Sequence, residues 1–361
     1  MKEKIKELMK NGKVSSVLLV NFHGIEENFY YYTETPFGAF EGNALILGGK
    51  GKPLLLTTKL DYGQIKGNSK LRVKLIESKK QYLELLAKNL KGKKIGCNFE
   101  LMPVNFRKRL VNKLKGKKLI DVSKVLREVR AEKTKEETKM IKKACVITQK
   151  ILNEVPKIVR QNMKKGLTEK KLAVILEEMI IEKGAQGLSF PTIVASGKSG
   201  AVPHHVTSNK KISRGFLLID FGIRIENYCS DLSRTFFVGK AGKKEKELYE
   251  LVSNVKERSE KMTKAGVVCE KVFDEAERLL KENGFELIHG LGHGIGLKVH
   301  DEPKGFLKGN KKKIKTKNVL TVEPGVYGNF GGIRIEDIIV VKEKGIEKLS
   351  SAPKKLVEIR I

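Results

Sequence analysis

The sequence predicts a smaller α/β layer domain at residues 1–127 and a larger α+β domain at 139–361, joined by a charged linker at 128–138. Three observations lead there. Residues 14–125 alternate short apolar runs with stretches of helical spacing. Residues 139–361 read helix, helix, hairpin, and then helix, helix, hairpin again. Each of those hairpins carries two carboxylates placed symmetrically about its turn. A chain of 361 residues also exceeds the roughly 100–200 expected of one domain.

In the first part, VSSVLLVNF, GNALILGG, KPLLLTTK, LRVKLIES and KKIGCNF are short apolar runs bounded by Gly, Asn and Lys, and they predict strands. Residues 81–91 and 104–115 have helical spacing, the second closed by Gly116. The apolar run at residues 17–20 is too short for a signal peptide or a membrane span, so a cytoplasmic protein without a membrane partner is expected. His23 is the only histidine here and no acidic cluster accompanies it. This domain is therefore expected to wall a site or build a dimer interface, and to supply no catalytic ligand.

Residues 128–138 (EVRAEKTKEET) contain no large apolar side chain except Val129, which marks the linker. Helical periodicity resumes at Met140, and Pro156 is expected to kink or restart that helix because proline cannot donate the backbone bond. Thr168 is a candidate N-cap for a helix over 169–183, closed by Gly184. Helices are also expected over 243–264 and 268–283.

The hairpins carry the chemistry. In LLIDFGIRIENYCSDLSRTFF, Asp220 and Asp231 lie symmetrically about a turn at Ile225-Glu226. In a regular antiparallel pair they would face each other, with Cβ atoms roughly 4.5–5.5 Å apart. LTVEPGVYGNFGGIRIEDIIVV repeats the device with Glu323 and Glu336 about Gly328–Gly332. Carboxylates inside apolar hairpins are costly unless positive charge lies between them. HGLGHGIGLKVHDEP, between the hairpins, adds His289, His293 and His300. Two Asp, two Glu and one His contribute about −4, matching two divalent cations, and an oxygen-rich site completed by imidazole suits manganese, cobalt, zinc or iron.

The segments FPTIVASG…VPHH, IDFG…YCSDLSRTFFVG, HGLGHGIGLKVHDEP, TVEPGVY and GIRIEDIIVV resemble those of the pita-bread metallopeptidases, in particular the Xaa-Pro dipeptidase (prolidase) and aminopeptidase P branch with its creatinase-like N-terminal domain. Non-catalytic relatives and creatinase lack the ligand set, whereas all five ligand positions are filled here. The resemblance implies a pita-bread catalytic domain, a homodimer and a proline-containing peptide substrate. It also implies two divalent metals, manganese or cobalt before zinc or iron, with Asp231 and Glu336 bridging, Asp220 on one metal, and His293 and Glu323 on the other. A bridging hydroxide would attack the peptide carbonyl, and Glu323 would shuttle the proton. His204 and His300 stand where the family places histidines that contact substrate and steady the transition state. Arg334, two residues before Glu336, either orients a carboxylate or helps bind substrate, and pairing to a carboxylate is the stronger reading. His289 reads as structural. Lys304 follows the HxxP segment where prolidase-like sequences often have Arg, so it offers a point charge rather than a fork for a dipeptide carboxylate.

The net charge of +31 allows a second class of function, a basic nucleic-acid or partner-binding module on the same fold. The lysines fall in short groups such as Lys79-Lys80 and 311–313, without interleaved aromatics. A solvated lysine-rich exterior is the plainer reading, and nucleic acid is expected only non-specifically, if at all. Cys97, Cys145, Cys229 and Cys269 lack CxxC spacing, which predicts reduced thiols. A methionine aminopeptidase-like enzyme is the remaining alternative, ranked lower because that branch usually lacks both the N-terminal domain and the RIED ending.

Overall fold

The computed structural model describes residues 3–22, 26–38, 40–48 and 51–361, which leaves His23 outside the described residues. The chain divides into two compact units, Met1–Arg130 and Ala131–Ile361.

The first unit is built on a six-stranded sheet in the order Arg72–Leu75, Leu54–Thr57, Ala44–Gly48, Ser16–Val20, Lys94–Cys97 and Lys118–Asp121. Its inner strands read as near-continuous apolar runs because both faces are buried, whereas the edge strands Arg72–Leu75 and Lys118–Asp121 mix apolar and charged residues and are partly exposed. Val17, Leu19, Leu45 and Leu47 join one core, while Leu18, Val20, Ala44 and Ile46 join the other. The expected helices appear as Lys79–Asn89 and Val104–Lys113. The sequence reading missed the shorter helices Glu27–Thr33 and Lys59–Ile65. The stretch 128–138 is mostly helical. It spans the end of Ser123–Ala131 and the first turn of Lys135–Asn162, which opens on a capping box between Thr134 and Glu137.

The second unit is a duplication. Helices Lys135–Asn162 and Glu169–Glu182 cover a four-stranded sheet that includes Ile193–Ser196, Gly215–Phe221 and Leu232–Val238. Helices Lys243–Met262 and Cys269–Lys281 cover a five-stranded sheet that includes Gly292–Gly294, Val319–Val322 and Asp337–Lys342. The repeat extends to single hydrogen bonds at matching helix starts. Ile212 N donates to Leu167 O at 2.9 Å, and Ile314 N to Val267 O at 2.8 Å. Pro156 does not restart the first helix, which continues unbroken from Lys135 to Asn162. One missing N–H is tolerated because buried Ile151, Leu152, Val155, Ile158 and Val159 pin both sides of it to the core.

Candidate metal centre

In the first hairpin the turn is Glu226-Asn227, with φ of 49° and 71°, one residue later than expected. Both turn residues are left-handed, as a tight two-residue hairpin loop requires, and Asn tolerates that conformation. The register therefore slips by two. Asp220 pairs with Ser233 rather than with Asp231, and the two aspartates become diagonal neighbours. A slip of two keeps every side chain on its face, so Asp220 and Asp231 still point to the same side. In the second hairpin Val322 pairs with Asp337 and Gly325 with Arg334, a register that sets Glu323 directly opposite Glu336 as expected.

His293 lies on Gly292–Gly294, where the pairing with Asp301–Phe306 shifts register. Such a bulge re-aims a side chain. The flanking glycines are required by close approach: a Cβ at Gly292 would stand 2.1 Å from Thr321 O, and one at Gly294 2.3 Å from Pro303 O. His293 Nδ1 lies 3.1 Å from Gly294 O, which anchors that side of the ring and turns Nε2 toward the carboxylates. Nε2 is 3.4 Å from both Asp231 Oδ2 and Glu323 Oε1. Ligand atoms of Asp231, His293 and Glu336 lie within 4.8 Å of one another.

Asp220, Asp231 and Glu336 are buried. Asp220 Oδ1, Asp231 Oδ1 and Glu336 Oε1 are each enclosed without any hydrogen-bond partner. A buried carboxylate oxygen left unpaired is costly, and three of them beside His293 Nε2 fit a cation site. Burial, then Asp220 and Glu323, push the Asp231 carboxyl well above its ordinary range. Burial, then Asp231 and Glu323, do the same to Glu336. Cations between these groups would remove that penalty.

Arg334 is 3% exposed and commits four of its donors: Nη2 to Asp220 Oδ2 at 2.6 Å, Nε to Ser233 Oγ at 2.8 Å, and Nη1 to Tyr327 OH at 3.0 Å and Pro203 O at 3.2 Å. These contacts favour the carboxylate-orienting role over substrate binding, and the contact with Asp220 is single rather than a two-pronged fork. Ser233 Oγ also donates to Glu336 Oε2 at 3.0 Å. Ser233 and Tyr327 were not singled out from the sequence; Ser233 could have been found only from the true register, which places it opposite Asp220. His289 is structural as expected, with Nδ1 2.8 Å from Gly290 O and Nε2 2.8 Å from Tyr327 OH.

His300 stacks edge-on against His293, with ring centroids 4.2 Å apart. Burial, then His293 and His204, push its pKa down to about 4, so it is neutral at pH 7. His204 is exposed, and Pro203 beside it accepts from Arg334 Nη1 at the ligand cluster. Its neighbour His205 is half-buried rather than a free surface residue, with Nε2 2.9 Å from Glu169 Oε2. Lys304 is exposed.

The family model for metallopeptidase family M24 matches residues 139–343, and that for the creatinase/prolidase N-terminal domain matches residues 2–131. The chain is 34% identical over 361 residues to the Xaa-Pro dipeptidase of Pyrococcus furiosus, covering 99% of this chain and all of that one. Among solved structures it is similar to the X-Pro aminopeptidase of Thermotoga maritima, at 30% identity and a TM-score of 0.88 over 96% of this chain and 98% of that one. It is also similar to the prolidase of Pyrococcus horikoshii, at 30% identity and a TM-score of 0.85 over 97% of each chain.

Proposed function

Because this chain belongs to metallopeptidase family M24, we propose that it is a metal-dependent peptidase hydrolysing the bond that precedes proline, in dipeptides or at peptide N-termini. The observation that carries this is the set of unpartnered, buried carboxylate oxygens of Asp220, Asp231 and Glu336 gathered beside His293 Nε2. With Glu323, these residues would hold two divalent ions, manganese or cobalt first. Such ions supply a nucleophile from water at neutral pH and polarise the scissile carbonyl.

The protein's own groups do the rest. Glu323, less buried than the other three carboxylates, is the group to accept a proton from the attacking water and pass it to the leaving amine. Neutral His300 can donate a hydrogen bond to the substrate without adding charge, and the exposed His204 is the second histidine assigned to substrate contact. Arg334 holds Asp220 in place and stays out of the substrate's reach. The two alternatives, a methionine aminopeptidase-like enzyme and a nucleic-acid-binding module, are not favoured, since relatives that match end to end include two Xaa-Pro dipeptidases and an X-Pro aminopeptidase by name.

A cytoplasmic setting is supported by four free, buried cysteines. Among the described residues, no helix is long and apolar enough to cross a membrane. A homodimer is part of the proposal, to be checked by sedimentation equilibrium. The activity is tested with Xaa-Pro dipeptides, Xaa-Pro-Yaa peptides and Met-Ala peptides in the presence of manganese or cobalt. Cleavage of the proline substrates is expected, and the longer peptides tell dipeptidase from aminopeptidase. Cleavage of Met-Ala peptides alone would overturn the assignment.

A further inference from the structure

The segment between Ser196 and Ser208 carries His204, and both of its ends converge on one buried carboxylate outside the metal centre. Glu169 is fully buried at the first turn of its helix. Its Oε1 accepts from Ser196 N at 2.9 Å, at one end of the segment. At the other end, its Oε2 receives Ser208 Oγ at 2.7 Å, Ser208 N at 3.2 Å and His205 Nε2 at 2.9 Å. Burial alone would raise this carboxyl, but the bonds from Ser196 N, His205, Ser208 and Ser199 outweigh it and hold it below its ordinary range. It is therefore a charged acceptor gathering the segment's own donors.

On the other side of His204, Pro203 O accepts from Arg334 Nη1, and the same guanidinium grips Asp220. The residues on both sides of His204 are thus anchored, one to the ligand cluster and one to Glu169, while the His204 ring itself stands exposed. We propose that Glu169, acting through His205, is a positioning residue for His204. The inference rests on the reading of His204 as a substrate contact.

The duplicated half of the unit supplies an internal control. Glu169 N donates to Lys210 O at 2.9 Å and Lys170 N to Ser208 O at 2.9 Å. At the matching helix start, Cys269 N donates to Lys312 O at 3.0 Å and Glu270 N to Asn310 O at 3.1 Å. The same backbone junction thus forms around a buried thiol where the first half has a carboxylate. The scaffold does not demand a carboxylate there. What distinguishes the first half is the histidine-bearing segment above it.

The test is a double-mutant cycle on an Xaa-Pro dipeptide with the metal-loaded, full-length enzyme. His205→Phe keeps a ring on this half-buried side chain but removes the donor, and Glu169→Gln keeps the shape without the charge. Each should lower kcat by about 10–100-fold, since a displacement near 1 Å costs up to that much, with KM changed less than about threefold and metal content unchanged. His205→Gln, which restores an amide donor, should recover most of the loss. In a His204→Ala background the His205→Phe step should cost less than about twofold, because coupled residues are non-additive. A general loosening of the fold would instead multiply through, so equal losses in both backgrounds would overturn the proposal, as would an unaltered kcat in His205→Phe. If His204→Ala alone is fully active, the substrate role of His204 falls and the positioning role with it, while the metal-site reading stands.

Discussion

Replacing Asp231 with Asn should stabilise the metal-free protein and destabilise the metal-loaded one. Asp231 is buried and its Oδ1 has no partner. With ligand atoms of Asp231 and Glu336 within 4.8 Å of each other, two ionised groups repel by about 3.5 kcal/mol at an effective dielectric of 20. The metal-free protein avoids part of that by binding protons, so on the order of 2 kcal/mol is recovered when one carboxylate becomes an amide. At roughly 2–4 °C per kcal/mol for a domain of this size, metal-free Asp231→Asn should melt roughly 4–8 °C above metal-free wild type. With metal the order reverses. Wild type gains about 2.7 kcal/mol when free metal is 100 times its Kd, while the variant, lacking a bridging charge, should lose at least one ion and nearly all turnover. The assay is calorimetry with and without chelator, alongside metal analysis. A metal-free variant that melts below metal-free wild type would refute the repulsion argument, and full metal content with normal turnover would refute the site itself.

Three further outcomes are expected. His300→Ala leaves all five proposed ligands in place, so metal content should be unchanged while kcat falls by roughly 10²–10⁴, as measured by metal analysis beside kinetics. Arg334→Lys keeps the charge but cannot reach Asp220, Ser233, Tyr327 and Pro203 together, so metal affinity, read by competition with a chelating dye, should weaken about 10–100-fold. In the metal-free protein the Asp231 carboxyl stands well above its ordinary 3.8, so the folded state binds the extra proton and this group's contribution to stability falls as pH rises above about 4. The melting advantage of metal-free Asp231→Asn should therefore grow from pH 4 to pH 7, and an advantage that shrank over that range would contradict the shift.

Much of the catalytic unit was legible because its signals are local. Apolar runs, caps such as Thr168 and closing glycines such as Gly184 are read from neighbouring residues, and the helix Glu169–Glu182 ended within one residue of expectation. The second hairpin's register was also legible, since its glycine-rich turn is symmetric. The first was misread because symmetry about the two aspartates put the turn at Ile225-Glu226, whereas Ile225 is buried in the core and Glu226-Asn227 is the polar pair, with an Asn that tolerates positive φ. The error did little harm because a slip of two preserves the face. Contacts made across the chain were not legible. Nothing near Ser233 announces that it bonds both Arg334 and Glu336, and nothing near Glu169 announces a segment thirty residues away. In the first unit the missed helices Glu27–Thr33 and Lys59–Ile65 are only 7 residues each, too short for periodicity to stand out.

Two of the five proposed ligands, Glu323 and Glu336, sit where the second hairpin gives up its own ladder. Between the pairs Val322–Asp337 and Gly325–Arg334, the amides of the two glutamates turn elsewhere: Glu323 N donates to Leu291 O at 2.8 Å and Glu336 N to Ser233 O at 3.1 Å. The second of these bonds crosses from one duplicated half to the other, and Arg234 reinforces it by donating to Glu336 O. Thr235 Oγ1 and the backbone of Arg334 add a reciprocal pair across the same seam, at 3.0 and 3.1 Å. Asp220 and Asp231 come from the first half, and His293, Glu323 and Glu336 from the second. Cations held by these residues, as proposed, would tie the halves together at the place where the second hairpin's backbone pairing is interrupted. Their binding energy would therefore stabilise the seam between the halves rather than either hairpin alone, because the proposed ligands converge only when both halves are folded.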